Sequence, residues 1–302
     1  MLSILFIFFA ATGAAISNLV IRMGLNPTKS LNGFLFIFYL TSMFFTLAMF
    51  YEILASPINY PMVAAGMIQG GIVVLLTQLT AAAMKKGPAA LTFAFRNASA
   101  VFPPLILFIL FGPSFGFIIT PVQLLGMTIV VIGLFFAARQ KNSDGIQSIP
   151  KSWFLYAICC FAIQGLASTI VQWRCLLFTQ DLPSHLLIPF SCAEADDGWF
   201  LPAGFAMASI LQLILFLREK RIFESKELYL GGLGGLLNGS CGFFLILATK
   251  WASPVEKVIL FPLFAVLIIM LCNLWGRIIY NERVNILGNA VCCFGIFVAS
   301  LG

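Results

Sequence analysis

The sequence predicts an all-α polytopic membrane protein whose ten transmembrane helices form two inverted five-helix repeats. Three observations predict it. Of the 302 residues, 61% are hydrophobic and only 9% are charged, whereas a soluble domain carries about 25% charged residues. The apolar residues gather in ten runs, each close to the roughly 20 residues that cross a hydrocarbon core as a helix. Motifs in the first half of the chain return in the second.

The runs lie near 2–21, 33–54, 61–84, 88–111, 117–138, 152–172, 199–217, 228–250, 254–275 and 284–301. The first, within MLSILFIFFAATGAAISNLVIRMG, lacks the positive region that opens a cleaved secretory signal, so it is expected to stay as the first spanning helix. Most connections are short, such as SPINY and GPSFG; the longest, 174–199, carries Asp181, Glu194, Asp196 and Asp197. The polar stretch RQKNSDGIQSIPK at 139–151 is a linker that divides the runs five and five, into a first repeat over 1–138 and a second over 152–302.

The halves match at both ends. TGAAISNLVIR at 12–22 lies over QGLASTIVQWR at 164–174, and VQLLGMTIVVIGLFFA from Val122 lies over VNILGNAVCCFGIFVA from Val284, with Gly126 over Gly288 and Gly133 over Gly295. Between them AFRNASAVFPPL at 94–105 lies over SPVEKVILFPLF from Ser253, with Pro103 over Pro262. A unit with an odd number of spans re-enters the membrane upside down when it is repeated. Inverted repeats of this kind belong to secondary transporters, which hold substrate at the repeat interface near the bilayer midplane.

Two stretches carry a family resemblance. ASPVEKVILFP at 252–262 opens a helix with small residues and a Pro and continues to a second Pro, and NERVNILGNAVCCFG at 281–295 sets Glu282 before a run holding Gly288 and Gly295. In these the chain resembles the drug/metabolite transporter superfamily, specifically its ten-helix EamA-like members. The first half departs from the pattern, with Thr120 where the acid would stand and no Trp before Gly13. The resemblance implies a basket in which helices 1, 3, 4, 6, 8 and 9 line a central cavity while helices 5 and 10 brace the outside. It also implies cargoes as varied as amino acids, nucleotide sugars, sugar phosphates, purines, drugs and cofactors.

Arg96 leads the candidate substrate-binding residues. A guanidinium inside hydrocarbon costs roughly 2.5–3.5 kcal/mol on insertion scales, so it is expected to face protein or a watery cavity. There it pairs with carboxylate or phosphate in two-pronged fashion and stays charged; the alternative is that it snorkels to the membrane edge near Lys86. Asn97 points about 100° away from it around the helix. Ser17 and Asn18 on the first helix and Gln164, Ser168 and Gln172 on the sixth form polar faces, the last three stacked by their spacing of four. Gln69 and Gln78 on the third helix and Asn238 on the eighth complete the amides. In apolar surroundings such groups bond either a ligand, water or a neighbouring helix. Glu256 and Lys257 follow Pro254 at the start of the ninth helix, where a carboxylate also complements the macrodipole. Pro103, Pro104 and Pro262 break backbone bonds inside paired helices, as hinges or as plain kinks. Gly231, Gly235 and Gly239, and likewise Gly66 and Gly70, repeat at the spacing that lets helices approach closely.

Other chemistry finds little to build on. Six of the 8 Cys lie in apolar runs and read as small buried hydrophobes, and the single His185 gives them no partner for a metal site. No HExxH, GxSxG or paired intramembrane Asp is present, so an intramembrane enzyme is a distant alternative, and no cofactor is expected. The net charge of +6 is spread between apolar runs, which reads as an orientation signal and not as a nucleic-acid surface. Arg22, Lys29, Lys85, Lys86, Arg139, Lys141, Lys151, Arg218, Lys220, Arg221, Lys226, Arg277 and Arg283 all sit at odd-numbered connections, against Arg174, Lys250 and Lys257 at even-numbered ones. That bias places both termini outside; the family resemblance places them inside. The expectation is a multi-pass protein of the cell (inner) membrane, monomer or homodimer. It would move a small polar metabolite, anionic or zwitterionic, by alternating access, with membrane lipids as its other partners. A lipid or amphipathic-drug exporter of the same fold is the alternative.

Overall fold

A computed structural model describes residues 2–25, 30–115, 117–138, 150–178, 185–188, 194–251, 254–282 and 285–301, with the side chains of 194–196 and 254–259 outside that description. The described residues form eleven α-helices: α1 (Leu2–Gly24), α2 (Asn32–Met49), α3 (Tyr60–Met84), α4 (Ala89–Ala98), α5 (Pro103–Phe111), α6 (Pro121–Ala138), α7 (Lys151–Trp173), α8 (Phe200–Leu217), α9 (Ser225–Trp251), α10 (Pro254–Tyr280) and α11 (Ile286–Ser300). Among them there is no strand, only an isolated bridge between His185 and Ile188. Among the described residues eight segments are long and apolar enough to cross a bilayer, with α4 and α5 counted together as Ala89–Phe111; Pro121–Phe136 and Ile286–Ser300 are apolar but shorter. Side chains such as Phe8, Phe9, Ile109, Leu155, Ile158 and Phe297 lie exposed on the outside of the bundle. Such an apolar exterior suits lipid and not water. The chain is an all-helical, multi-pass membrane protein.

Local chemistry fixes the helix ends. The Asn59 side chain accepts the Met62 N–H at 3.0 Å to cap α3. Thr120 and Gln123 bond each other's backbone N–H at 3.1 Å, a reciprocal capping box that starts α6 at Pro121 and not near 117. Asn285 caps α11 through the Gly288 N–H and donates to the Phe136 carbonyl, each at 3.0 Å, which ties the start of α11 to α6. α4 begins after Pro88 without a cap of its own; Glu282 supplies one from afar, accepting the Ala89 and Ala90 N–H groups at 3.1 and 2.9 Å. A carboxylate at this position also meets the positive end of the helix dipole.

The fourth span is broken. Pro103 and Pro104 have no N–H to give, so the helix stops at Ala98 and passes through a tight turn at Ser99–Val101. In that turn the Ser99 carbonyl takes the Phe102 N–H at 3.0 Å instead. Pro262 sits alone inside α10, which runs on through it.

Packing between helices follows the small residues. α1 packs on α9 and α10, α2 on α8 and α9, α3 on α7 and α8, α4 on α7 and α10, and α6 on α11. A Cβ placed on Gly66 or Gly70 of α3 would strike the carbonyls of Phe200 and Gly204 in α8, and one on Gly231 or Gly235 of α9 would strike those of Phe34 and Phe38 in α2. Gly126 and Gly133 of α6 lie in the same way against the backbone of Ala299 and Cys292 in α11. Backbones this close exclude any side chain, which is why glycine occupies these places.

Candidate functional site

The α4–α5 break sets the site. Just before it, Arg96 lies about 10 Å along the helix from Ala89, so it starts deep within the span. Its Nε donates to Oε1 of Gln164 on α7 at 2.8 Å, and Nε2 of Gln164 donates to the Ser168 hydroxyl at 3.1 Å. The guanidinium therefore turns inward to α7, and not along α4 toward Lys86. Gln164 and Ser168 form one wall of a partly open hollow of about 100 Å³. Gln69 from α3 and Asn97 from α4 extend the polar side, while Val171, Leu245, Phe261 and Phe264 make the apolar side. The lining thus comes from α3, α4, α7, α9 and α10, on both sides of the 139–151 linker.

The polar groups of the wall are only partly satisfied by one another. Asn97 Nδ2 donates to the Phe93 carbonyl at 2.8 Å. Gln69 Oε1 is buried without a hydrogen-bond partner, an acceptor in apolar surroundings that calls for a donor from whatever fills the hollow. Within electrostatic reach of Arg96 are the Tyr39 hydroxyl and the thiols of Cys160, Cys241 and Cys272. Thr77 donates to the Val73 carbonyl at 2.7 Å and so accepts from Tyr39, itself only 2% exposed. Among the described residues no carboxylate pairs with Arg96.

The remaining candidates divide. Ser17 donates to the Gly234 carbonyl at 3.4 Å and Asn18 to the Cys272 sulfur at 3.7 Å, so both join helices and do not line the hollow. Asn238 donates to Ser42 at 3.1 Å, and Ser42 donates to the Phe38 and Gly235 carbonyls at 2.9 Å, which fastens α9 to α2. Gln78 belongs elsewhere, donating to Asn32 at 2.7 Å and to Gln212 at 3.1 Å. Gln172 is partly buried on α7 outside the lining residues. The side chains of Glu256 and Lys257 lie outside the described residues. Pro103 and Pro104 are not among the lining residues, but Ala100, in the break they cause, is.

Sequence reasoning missed Phe261, Phe264 and Leu245, which no polar signal marks, and Tyr39. It also missed a polar cluster at one end of the bundle. There Asn32 donates to Glu219 at 2.5 Å and Ser30 donates to the same carboxylate, while Arg221 bridges Glu219 at 2.7 Å and Glu227 at 2.6 and 2.8 Å. Burial pushes the Glu219 carboxyl up, but the bonds from Ser30, Arg221 and Asn32 outweigh it and hold the group below the usual carboxylate range. At the opposite end Arg174, 2% exposed, stacks 4.9 Å over the Phe200 ring with Asp197 at 2.9 Å from its Nε.

No protein-family model matches the chain, and no curated protein matches it. Solved structures do: 19 chains match. One crystal structure superposes with a TM-score of 0.58, covering 99% of this chain and 94% of that chain at 16% identity. A likeness at that identity is one of fold.

Proposed function

We propose that the protein is a secondary transporter or exchanger that moves a small polar metabolite, anionic or zwitterionic, across the cell membrane by alternating access. One observation carries the reading: an arginine deep in a membrane span, bonded to a neutral amide, stands behind the wall of a hollow that segments from both halves of the chain enclose. A guanidinium is kept in such a place when something there uses its charge. The amide and hydroxyl groups beside it fix orientation, and Phe261 and Phe264 cover the apolar part of the cargo.

The helix contacts support two repeats of five spans, the fourth being α4 with α5. Exchange α1 with α7, α2 with α8, α3 with α9, α4 with α10 and α6 with α11, and the set of packed pairs reproduces itself. The match extends to residues: Gly66 and Gly70 meet Phe200 and Gly204 as Gly231 and Gly235 meet Phe34 and Phe38. Halves related in this way rock about a central site, which opens to one side of the membrane at a time. The double-proline break beside the hollow provides a place for bending. The likeness to the drug/metabolite transporter superfamily in ASPVEKVILFP and NERVNILGNAVCCFG fits the same reading.

The test is ligand binding and uptake by purified protein in liposomes, with a panel of amino acids, nucleotides, sugar phosphates and lipophilic cations. Saturable uptake of an anion or zwitterion that falls at least about tenfold in Arg96→Ala is the expected outcome. Uptake unchanged in that variant, preference for a simple cation, or ionic conductance in place of saturable flux would overturn the proposal.

A further inference from the structure

We infer that the cargo bears a net negative charge and an apolar ring, and that the protein exchanges one such anion for another without returning empty. The inference rests on the transporter reading above and follows from the charge balance around Arg96. Arginine stays protonated at any physiological pH. Its hydrogen-bond partner Gln164 is neutral, and the groups within its electrostatic reach are a phenol and three thiols, which are uncharged near pH 7. Glu282 accepts two N–H groups at the start of α4, well away along the helix. The centre therefore carries one positive charge with no counter-charge among the described residues.

That charge behaves differently in the two kinds of passage between open states. While the hollow is open, water solvates the guanidinium. Closing both sides around an empty hollow strips that water and leaves the cation in a low-dielectric interior with the neutral Gln164 and no carboxylate among the described residues beside it, an unfavourable arrangement for an ion. Closing around an anion leaves a neutral, hydrogen-bonded pair. The loaded carrier thus crosses its barrier readily and the empty one does not. Because the loaded centre is neutral, exchange is also indifferent to membrane potential.

The rest of the wall narrows the chemistry. Val171, Leu245, Phe261 and Phe264 face a ring or branched apolar body. The unpartnered Oε1 of Gln69 asks the same ligand for an N–H or O–H donor. A ring-bearing monoanion with a donor satisfies all three demands; a zwitterion brings an ammonium for which the described wall has no carboxylate.

The experiment uses purified full-length protein in proteoliposomes. The probes are radiolabelled anions that carry a ring hydroxyl, paired with neutral isosteres, 4-hydroxybenzoate with 4-hydroxybenzamide, 6-hydroxynicotinate with 6-hydroxynicotinamide and 4-hydroxybenzenesulfonate with 4-hydroxybenzenesulfonamide, together with phenylalanine as the zwitterion. Uptake of at least one anion is expected to rise about tenfold or more when the same anion is preloaded inside, not to rise with its neutral isostere inside, and not to respond to a potassium–valinomycin potential. Arg96→Lys keeps the charge and should keep dependence on preloading. Arg96→Gln should lose anion uptake and carry the neutral isostere equally into empty and loaded vesicles. Saturable anion uptake at the same rate into empty and preloaded wild-type vesicles overturns the exchange inference and leaves the transporter reading standing, as does phenylalanine or a neutral isostere moving as well as the anions. Should folded wild-type protein move no member of either this panel or the broader one above, the transporter reading falls and takes this inference with it.

Discussion

Glu219 shows how much a single carboxylate organises. It receives Ser30 and Asn32 from the start of α2 and Arg221 from the turn after α8, and through Asn32 it holds Gln78 and then Gln212, which is 0% exposed. Its carboxyl is held below the ordinary value of 4.5 in the folded protein. A depressed acid contributes stability that is whole above its unfolded value and is lost as pH falls through the folded one. Glu219→Gln is accordingly expected to cost about 1–2 kcal/mol at pH 7, the roughly 1.5–3 kcal/mol scale of a hydrogen bond to a charged group discounted for screening at a partly exposed site. The gap between variant and wild type should hold down to about pH 5 and close as the pH drops below 4.5. Thermal unfolding of both proteins in detergent across that range checks it; a gap that does not change with pH would show that the carboxylate's charge is irrelevant. The same cluster takes up Gln78, which bonds Asn32 and Gln212 and does not line the hollow. Nine residues separate Gln78 from Gln69, which at about 100° per residue puts the two on opposite sides of α3. Gln69 faces the hollow, so Gln78 faces α2 and α8. Helical geometry held that information, whereas the residue type alone did not.

At the scale of the helix, the glycines separate packing from propensity. In α3, Gly70 lies against the Gly204 carbonyl while its neighbour Gly71 has nothing within 4 Å of where a Cβ would stand; in α9, Gly235 lies against the Phe38 carbonyl while Gly232 is equally open. A carbonyl belongs to the partner's backbone and cannot swing aside as a side-chain tip can. Gly70→Ala and Gly235→Ala are therefore expected to destabilise by about 1–3 kcal/mol through overpacking. Gly71→Ala and Gly232→Ala should be neutral or stabilising by up to about 1 kcal/mol, since alanine favours the helix. Four thermal unfolding midpoints decide this, and a loss at the open positions equal to that at the closed ones would remove the packing argument. The spacing of Gly66 with Gly70 and of Gly231 with Gly235 was readable in the sequence, and so was the apolar span around each. What was not readable is which helix each pair meets, because hydropathy is the same for every lipid-facing or helix-facing leucine. Prolines divide similarly: Pro103 and Pro104 together withhold two successive N–H groups and their helix breaks, while Pro262 withholds one and α10 runs on.

For the molecule as a whole, the arrangement of charge makes the last prediction. The pairings among helices repeat when the halves are exchanged; on the two-repeat reading proposed above, a five-span unit repeated once brings the two ends of the chain to the same side of the membrane. Lys85, Lys86, Arg218, Lys220, Arg221, Lys226 and Arg277 lie at the ends of α3, α8 and α10 and the start of α9, all of which fall on one face in a ten-span arrangement. Arg22 joins them, its guanidinium 5.1 Å over the Tyr280 ring at the end of α10. The opposite face holds far fewer basic residues, and Arg174 there is stacked on Phe200 with Asp197 beside it. Lys and Arg in short connections are retained on the cytoplasmic side during insertion, with acidic residues contributing little. Both termini are thus expected outside, and the connection at 85–88 and the linker at 139–151 inside. Reporter fusions active only outside or only inside the cell, placed after residues 86, 145, 252 and 302, check it. Outside activity is expected at 252 and 302 and inside activity at 86 and 145. The reverse pattern would mean that another signal overrides the charge bias, and unlike signals at 86 and 145 would mean that the spans do not number five in each half.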